Sequence, residues 1–327
     1  MTNLRKNLNG GIISQNSKVF FNSSLKTAQE LANDGAKLEP IKSIWGTYIL
    51  ENSLVHNPSE RGTGKTLLSL QLCLAISSGW KTFCGEQIEV HGNTLLLNFE
   101  LNEHVIKRRM DHLFRNPPEE INQTAHQARV YTSRHSFLEE LPEINSMVEE
   151  FKPVVIFIDN FRLAFLESDG NSNKDVAQAM NQILSLRDLH NCSIVLVDHT
   201  RKNTRSQSTE SDLQSGAGSK SDLADGDYFL RRSSKNEAFR ILKRSKSRNC
   251  ADQIGAKLLR FNPDTLWFEV EEECVNEALH LGNGVNVATD EKKEIAKDLY
   301  EKGQSMEQIA TTFGVSKSTI SRWLKED

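Results

Sequence analysis

The sequence predicts an α/β fold, a mainly parallel sheet flanked by helices, joined to a small all-α module at its C-terminal end. Two observations carry that expectation. Between Tyr48 and about His280, apolar runs such as NTLLLNF, VVIFID and SIVLVD alternate with helical stretches such as LLSLQLCLAI and DVAQAMNQILSLRDL. Strands that read as nearly continuous Val, Ile and Leu are buried on both faces, which requires helices above and below a parallel sheet. Residues 290–327 instead read as three short helices, separated at Gly303 and Gly314.

Taken in order, residues 1–22 are rich in Asn, Ser and Lys and read as a mobile arm. A helix is expected over SSLKTAQELAND, capped by Ser24, with Leu25, Ala28 and Leu31 on one face. It is too short to stand alone and is expected to dock on a neighbouring subunit. These observations divide the chain into an arm and docking helix at 1–40, an α/β domain at 41–280, a linker at 281–289 and a helical module at 290–327. Within the α/β domain, TYILENSLV reads as a strand region, and RKNTRSQSTESDLQSGAGSK as a long polar loop, functional or disordered. FRILKRSK, GAKLLRFN and LWFEVE then alternate like antiparallel strands.

Length allows one ordinary domain plus a satellite. With 40 basic and 44 acidic residues, bulk charge does not announce a nucleic-acid partner, so any basic surface is local. The five cysteines, Cys73, Cys84, Cys192, Cys250 and Cys274, show no metal-ligand spacing. They read as reduced thiols of a cytoplasmic protein. No run approaches the roughly 18 apolar residues of a membrane span, and no membrane partner is expected.

The chemistry begins at Ser59-Glu60-Arg61-Gly62-Thr63-Gly64-Lys65-Thr66, followed by Leu67, between a predicted strand and a long apolar helix. That context fits a Walker A loop, in which backbone N–H groups at a helix N-terminus surround the phosphates of ATP. Lys65 would reach the terminal phosphates and the Thr66 hydroxyl would hold Mg²⁺. The usual first glycine is Ser59 here, which is expected to loosen the first turn. Asp159 closes VVIFID, the Walker B position for Mg²⁺. Glu100 closes NTLLLNFE, where a carboxylate can polarise the attacking water. His199, after Asp198 at the end of SIVLVDH, either senses the γ-phosphate or merely caps the strand end.

The ordered series SERGTGKTLLSLQLCLAIS, LLLNFE, VVIFIDN, CSIVLVDHTRK and LKRSKSRN resembles the RecA-like ATPases related to hexameric, RepA-type plasmid replicative helicases, and more distantly DnaB and KaiC. The resemblance spans about residues 25–270. It implies a RecA-like fold, a homo-oligomer of hexameric type, Glu100 as catalytic base, Asp159 serving Mg²⁺ and His199 as phosphate sensor. It also implies that Lys246 and Arg248 reach a neighbour's nucleotide; by composition alone they belong to a solvated basic run. An Arg-Gly-Ser-Ser element of many relatives reads Ser215-Gly216-Ala217-Gly218 here, leaving Lys220 or Arg205 as substitutes. Arg201, Lys202 and Arg205 fall in the polar loop, which in ring or filament relatives faces the channel. They suit sequence-independent contact with single-stranded DNA.

In the C-terminal module, Ser305 and Ser316 are expected to cap helices, while Ile295, Leu299, Ile309, Ala310, Gly314, Val315, Ile320 and Leu324 meet across the turn. This pattern resembles the helix-turn-helix of resolvase and invertase DNA-binding regions. The resemblance turns Lys317, Ser318, Thr319, Ser321 and Arg322 toward duplex DNA; the alternative is a helical docking module without DNA. The expected function is therefore an oligomeric, DNA-dependent ATPase, a helicase or motor of a mobile element. The competing expectation is an ATP-switched regulator or accessory ATPase of partitioning or transposition. A P-loop kinase is disfavoured, because no lid or acceptor motif is visible.

Overall fold

The computed structural model describes residues 26–165, 173–199, 218–251, 255–281, 289–301, 303–313 and 315–325. Ser24, Leu25, Arg201, Lys202, Arg205 and Ser215 to Ala217 lie outside the described residues. In the unit Met1–Pro40, helix α1 runs Ala28–Gly35. Its cap is Thr27 rather than the expected Ser24. Glu30 reaches back to the Thr27 backbone while Thr27 accepts from Glu30 N, a reciprocal pair only this register offers. None of its residues is buried, and Leu31 is exposed.

The second unit, Ile41–Asp327, opens with β1 (Ser43–Trp45), β2 (Ile49–Leu50), β3 (Leu54–Ser59) and α2 (Lys65–Ser78). TYILENSLV is therefore two strands, split by a turn in which Asn52 takes φ +54°. The short hairpin β4 (Thr82–Phe83) and β5 (Glu86–Gln87) leads to β6 (Thr94–Asn98), α3 (Glu103–Arg115), β7 (Ala128–Thr132) and α4 (Phe137–Phe151). Then come β8 (Val155–Asp159), α5 (Phe161–Ala164), α6 (Asn173–His190), β9 (Ser193–His199) and α7 (Gly218–Leu223). The domain finishes with β10 (Gly226–Arg232), β11 (Phe239–Ser247), β12 (Ala256–Phe261) and β13 (Phe268–Val275). Leu266, expected to open the last strand, turns with φ +62°, and β13 starts two residues later.

One nine-stranded sheet has the order β13-β12-β11-β10-β3-β9-β8-β6-β7. From β10 to β7 the pairing is parallel, and β11 to β13 add an antiparallel wing. Alternation along the strands builds two cores. Val55, Leu96, Val155, Phe157 and Val195 pack with α2 and α3 on one face, while Leu54, Leu95, Leu97, Ile156, Ile158, Ile194 and Leu196 pack with α4 and α6 on the other. Helix α2 is buried almost all round, as its largely apolar sequence requires, and it carries Ser69 and Gln71 into the interior. Cys73, Cys84 and Cys192 are buried thiols, whereas Cys274 is exposed on the outermost strand. Among the described residues no helix is long and apolar enough to cross a membrane.

The C-terminal module comprises α8 (Thr289–Glu301), α9 (Met306–Phe313) and α10 (Lys317–Trp323) around Ile295, Ala296, Leu299, Ile309, Ala310, Ile320 and Trp323. Gly303 takes φ +86° after α8, a conformation glycine adopts without strain. Ser305 and Gln308 cap each other's backbone N–H at α9, and Ser316 accepts from Thr319 N at α10.

Candidate nucleotide site

Register places the chemistry. Asn98 pairs with Asp159, Asp159 with Val197, and Ser59 with His199, so the ends of β3, β6, β8 and β9 lie along one edge of the sheet. Between β3 and α2 the chain crosses this edge as Glu60 to Gly64. Gly62 takes φ +71° and Gly64 φ +103°, and a Cβ on Gly64 would stand 2.7 Å from Phe268 Cζ. Both dihedral and space therefore demand glycine there. At Ser59 they do not. Its hydroxyl donates to Asn57 Oδ1 (2.7 Å) and accepts from Leu230 N (2.9 Å), bridging β3 to β10 beyond their last backbone pair at Asp227. Ser59 secures the first turn of the loop instead of loosening it.

Lys65 opens α2 with its amine buried. Nζ donates to the carbonyls of Ser59 and Glu60, both at 2.8 Å, and lies 3.0 Å from His199 Nδ1. Burial pushes the amine down to about 8, against the pull of Asp159, Glu100, Asp198 and Glu60. On its other side His199 stands 3.4 Å from Glu100 Oε2, which accepts from Asn160 Nδ2 at 2.7 Å. His199 thus touches both Lys65 and Glu100. The hydrogen bond from His199 and that from Asn160 hold Glu100 below the usual carboxylate range, although burial opposes them.

Asp159 is fully buried, and neither carboxylate oxygen has a hydrogen-bond partner. Burial pushes it up to about 6, with Glu100 adding repulsion; the Thr66 hydroxyl, facing it without closing a full hydrogen bond, and Lys65 pull the other way. Two unpaired carboxylate oxygens beside a hydroxyl are the hard donors Mg²⁺ takes. Among the described residues no cluster of three His, Cys, Asp or Glu gathers. The residues fit Mg²⁺ held by Thr66 and Asp159.

Several neighbours were not legible from motif order. Arg232 Nη2 donates to Gly62 O at 2.7 Å and Arg240 Nε to Thr63 O at 2.8 Å, bracing the loop from behind. Arg109 lies on the face of α3 that buries Ile106 and Leu113. Burial lowers its basicity and Asp159 and Glu100 only partly oppose this, so this cation belongs to the same charge cluster. An arginine on an apolar helical stripe was the signal for it; for Asn160, adjacency to Asp159 was. Buried His56 stands 3.7 Å from Asp198 and 3.8 Å from Asp227. Burial works against the Asp198 charge, but His56 and Lys220 outweigh it and hold the carboxyl well below its usual range.

Other expected residues lie elsewhere. Ser247 is level with Gly226, and Gly226 with Val55 near the start of β3, so Lys246 and Arg248 sit at the end of the sheet away from their own P-loop. Lys246 Nζ donates to Ala224 O at 3.0 Å, and Arg248 pairs with Asp225 at 3.3 Å and bonds the Asp222 carbonyl. Lys220, considered as a stand-in for the absent arginine, is committed within its own chain: it pairs with Asp198 at 2.5 Å over the Phe161 ring. Glu60, Arg61 and Leu67 line the loop and first turn, with Arg61 exposed. In the C-terminal module Lys317 pairs with Glu307, Ser318 and Thr319 bond the Ser316 hydroxyl, Ser321 is half-buried and Arg322 is exposed. Trp323, absent from the expected core, is buried edge-on against Phe313.

A glycine-shaped phosphate loop between a buried strand and a helix, with a lysine, a buried aspartate and a glutamate converging on it, defines a P-loop ATPase domain, here followed by a helix-turn-helix. The comparisons agree. Residues 22–205 match the model of an AAA domain, more than half of the chain, and the protein belongs to that family. Residues 289–326 match a helix-turn-helix domain. No curated relative matches the chain. Among solved structures, a KaiC-like protein from the hyperthermophilic archaeon Pyrococcus horikoshii OT3 is similar in fold, with TM-score 0.52 and 14% identity, covering 71% of this chain and 99% of that one.

Proposed function

We propose that this protein is an oligomeric DNA-dependent ATPase, a replicative-type helicase or motor of the RepA kind acting on a mobile element. The observation that carries the ATPase reading is His199 in contact with both Lys65 and Glu100, beside the unpaired Asp159 carboxylate. Lys65 and the N–H groups of the loop bind the phosphates. Glu100, kept ionised by His199 and Asn160, takes the proton of the attacking water. Thr66 and Asp159 would hold Mg²⁺, which when bound would neutralise charge on the phosphate oxygens. His199, one residue before the polar loop, reports phosphate to the loop residues Arg201, Lys202 and Arg205, which hold single-stranded DNA. Lys317, Ser318, Thr319, Ser321 and Arg322 face duplex DNA. Arg248 completes a neighbour's site.

A second reading, an ATP-switched DNA-binding regulator or accessory ATPase, is favoured by one observation: Arg248 is bound to Asp225 and Asp222 within its own chain. A forked DNA substrate with Mg²⁺ and ATP separates the two. Strand displacement supports the motor, DNA-stimulated hydrolysis without displacement supports the switch, and hydrolysis indifferent to DNA contradicts both.

A further inference from the structure

Around its turn the β10–β11 hairpin touches both the P-loop and the base of the helix-turn-helix. At the P-loop its contacts are Arg232 to Gly62 O and Arg240 to Thr63 O. A peptide unit is planar, with its C=O and N–H on opposite sides. The Gly62 carbonyl shares its peptide with Thr63 N–H, and the Thr63 carbonyl with Gly64 N–H. The two arginines therefore fix the direction of N–H groups that lie in the phosphate cradle.

At and just beyond this same turn, and from Lys243 on β11, the hairpin also grips the short 3₁₀ turn Glu277–Leu279 and the residue after it. Ser233 Oγ stands 3.0 Å from His280 Nδ1, Ser234 N donates to His280 O at 2.6 Å, and Lys243 pairs with Glu277 at 2.7 Å. Ser233 Oγ already accepts from Lys235 N, so its hydroxyl proton is free to go to His280, which accepts as a neutral imidazole. Burial, and then Lys235, push that imidazole down to about 4, in keeping with a neutral acceptor. Leu279, inside the same turn, packs against the helix-turn-helix core of Ile295, Leu299, Ile309 and Trp323.

We propose that this hairpin couples the nucleotide site to the helix-turn-helix, so that phosphate in the P-loop stiffens the seat of the DNA-binding module. The proposal rests on reading the P-loop as the nucleotide site. Phosphate that orders the Thr63 and Gly64 peptides also orders Arg232 and Arg240; the hairpin passes that order to His280, and Leu279 passes it to the module. Ordering shared between sites is coupling without a large displacement, and it is reciprocal: duplex DNA on the module raises nucleotide affinity by the same factor.

Hydrogen exchange of the full chain, with and without a non-hydrolysable ATP analogue and Mg²⁺, tests this. Amides of α8 to α10 in the unaltered protein should exchange about fivefold more slowly or better with analogue, the lower end of ordinary coupling. Ser233→Ala removes the side-chain contact to His280 Nδ1, leaves the Ser234 N to His280 O bond, and touches neither P-loop nor module core. It should retain protection at the P-loop amides and reduce the nucleotide-dependent change in the module, since only one of the three contacts is lost. Leu279→Ala should bring the same ratio to one even where it lowers module protection overall. The relay is wrong if P-loop amides become protected while the module is indifferent, or if both variants keep the full effect. Absence of protection at the P-loop itself would overturn the nucleotide reading and the relay with it.

Discussion

Ser59 stands where Walker A loops usually carry glycine, and restoring that glycine is expected to harm the protein. Ser59 is 1% exposed, and its hydroxyl closes two hydrogen bonds, to Asn57 Oδ1 at 2.7 Å and from Leu230 N at 2.9 Å. Beyond Asp227 the β10 backbone no longer pairs with β3, so no other group on that side takes the Leu230 N–H. Leaving a buried donor unsatisfied costs about 1–3 kcal/mol. Glycine adds roughly 0.5–1 kcal/mol of backbone entropy. Together these give about 2–4 kcal/mol for Ser59→Gly, and about 1–3 kcal/mol for Ser59→Ala, which lacks the glycine term. For a domain of this size that is a fall in Tm of roughly 5–15 °C for the glycine variant. Urea and thermal unfolding of the two variants beside the parent protein measure it. A Ser59→Gly protein as stable as the parent, or more stable, refutes the bridging role.

Three further outcomes follow from the site and its surroundings. Lys65→Ala should abolish ATP hydrolysis while leaving circular dichroism and Tm close to the parent, since it removes a desolvated cation and no apolar contact; retained turnover would remove the P-loop assignment. His280, held in the fold at about 4 against an ordinary value near 6.5, binds its proton more readily in the unfolded chain, so its contribution to stability is full above pH 6.5 and is lost as pH falls toward 4. Unfolding from pH 7 to 5 should therefore cost the parent more stability than His280→Asn, and parallel curves would contradict this. Mixing Arg248→Ala with Lys65→Ala subunits, each inactive alone, should restore some ATPase at interfaces pairing intact residues. Exchange of subunits without recovery at any ratio, or full activity of Arg248→Ala alone, sinks the shared site.

The strand ends were legible because a buried strand announces itself as an unbroken apolar run, and the polar residues that close it mark the ligand edge of the sheet. That logic located Glu100, Asp159 and His199, and the register brings them to one edge. The helix-turn-helix was legible for the same reason, its small and apolar residues recurring at helical spacing between glycine breaks. What escaped is long-range and made through backbone groups. The Ser59 to Leu230 bond spans 171 residues and the Arg240 to Thr63 bond 177, and a carbonyl acceptor imposes no pattern on the residue that supplies it. Lys220 escaped because its partner, Asp198, lies across the whole polar loop. Trp323 was missed for a local reason: it ends a helix of polar residues, and only the Phe313 ring beside it explains its burial.

The account turns on Glu100 acting as a base beside an intact nucleotide cradle, and Glu100→Gln isolates that step. The amide keeps the shape and the Asn160 contact while losing the proton acceptor. Binding of a fluorescent ATP analogue and steady-state hydrolysis with Mg²⁺ should be measured on the same preparations. The account predicts that Glu100→Gln binds the analogue as the parent does and hydrolyses ATP at least about 100-fold more slowly, the usual range for losing a general base. Hydrolysis at the parent rate, or a parent protein that binds no ATP, would contradict it.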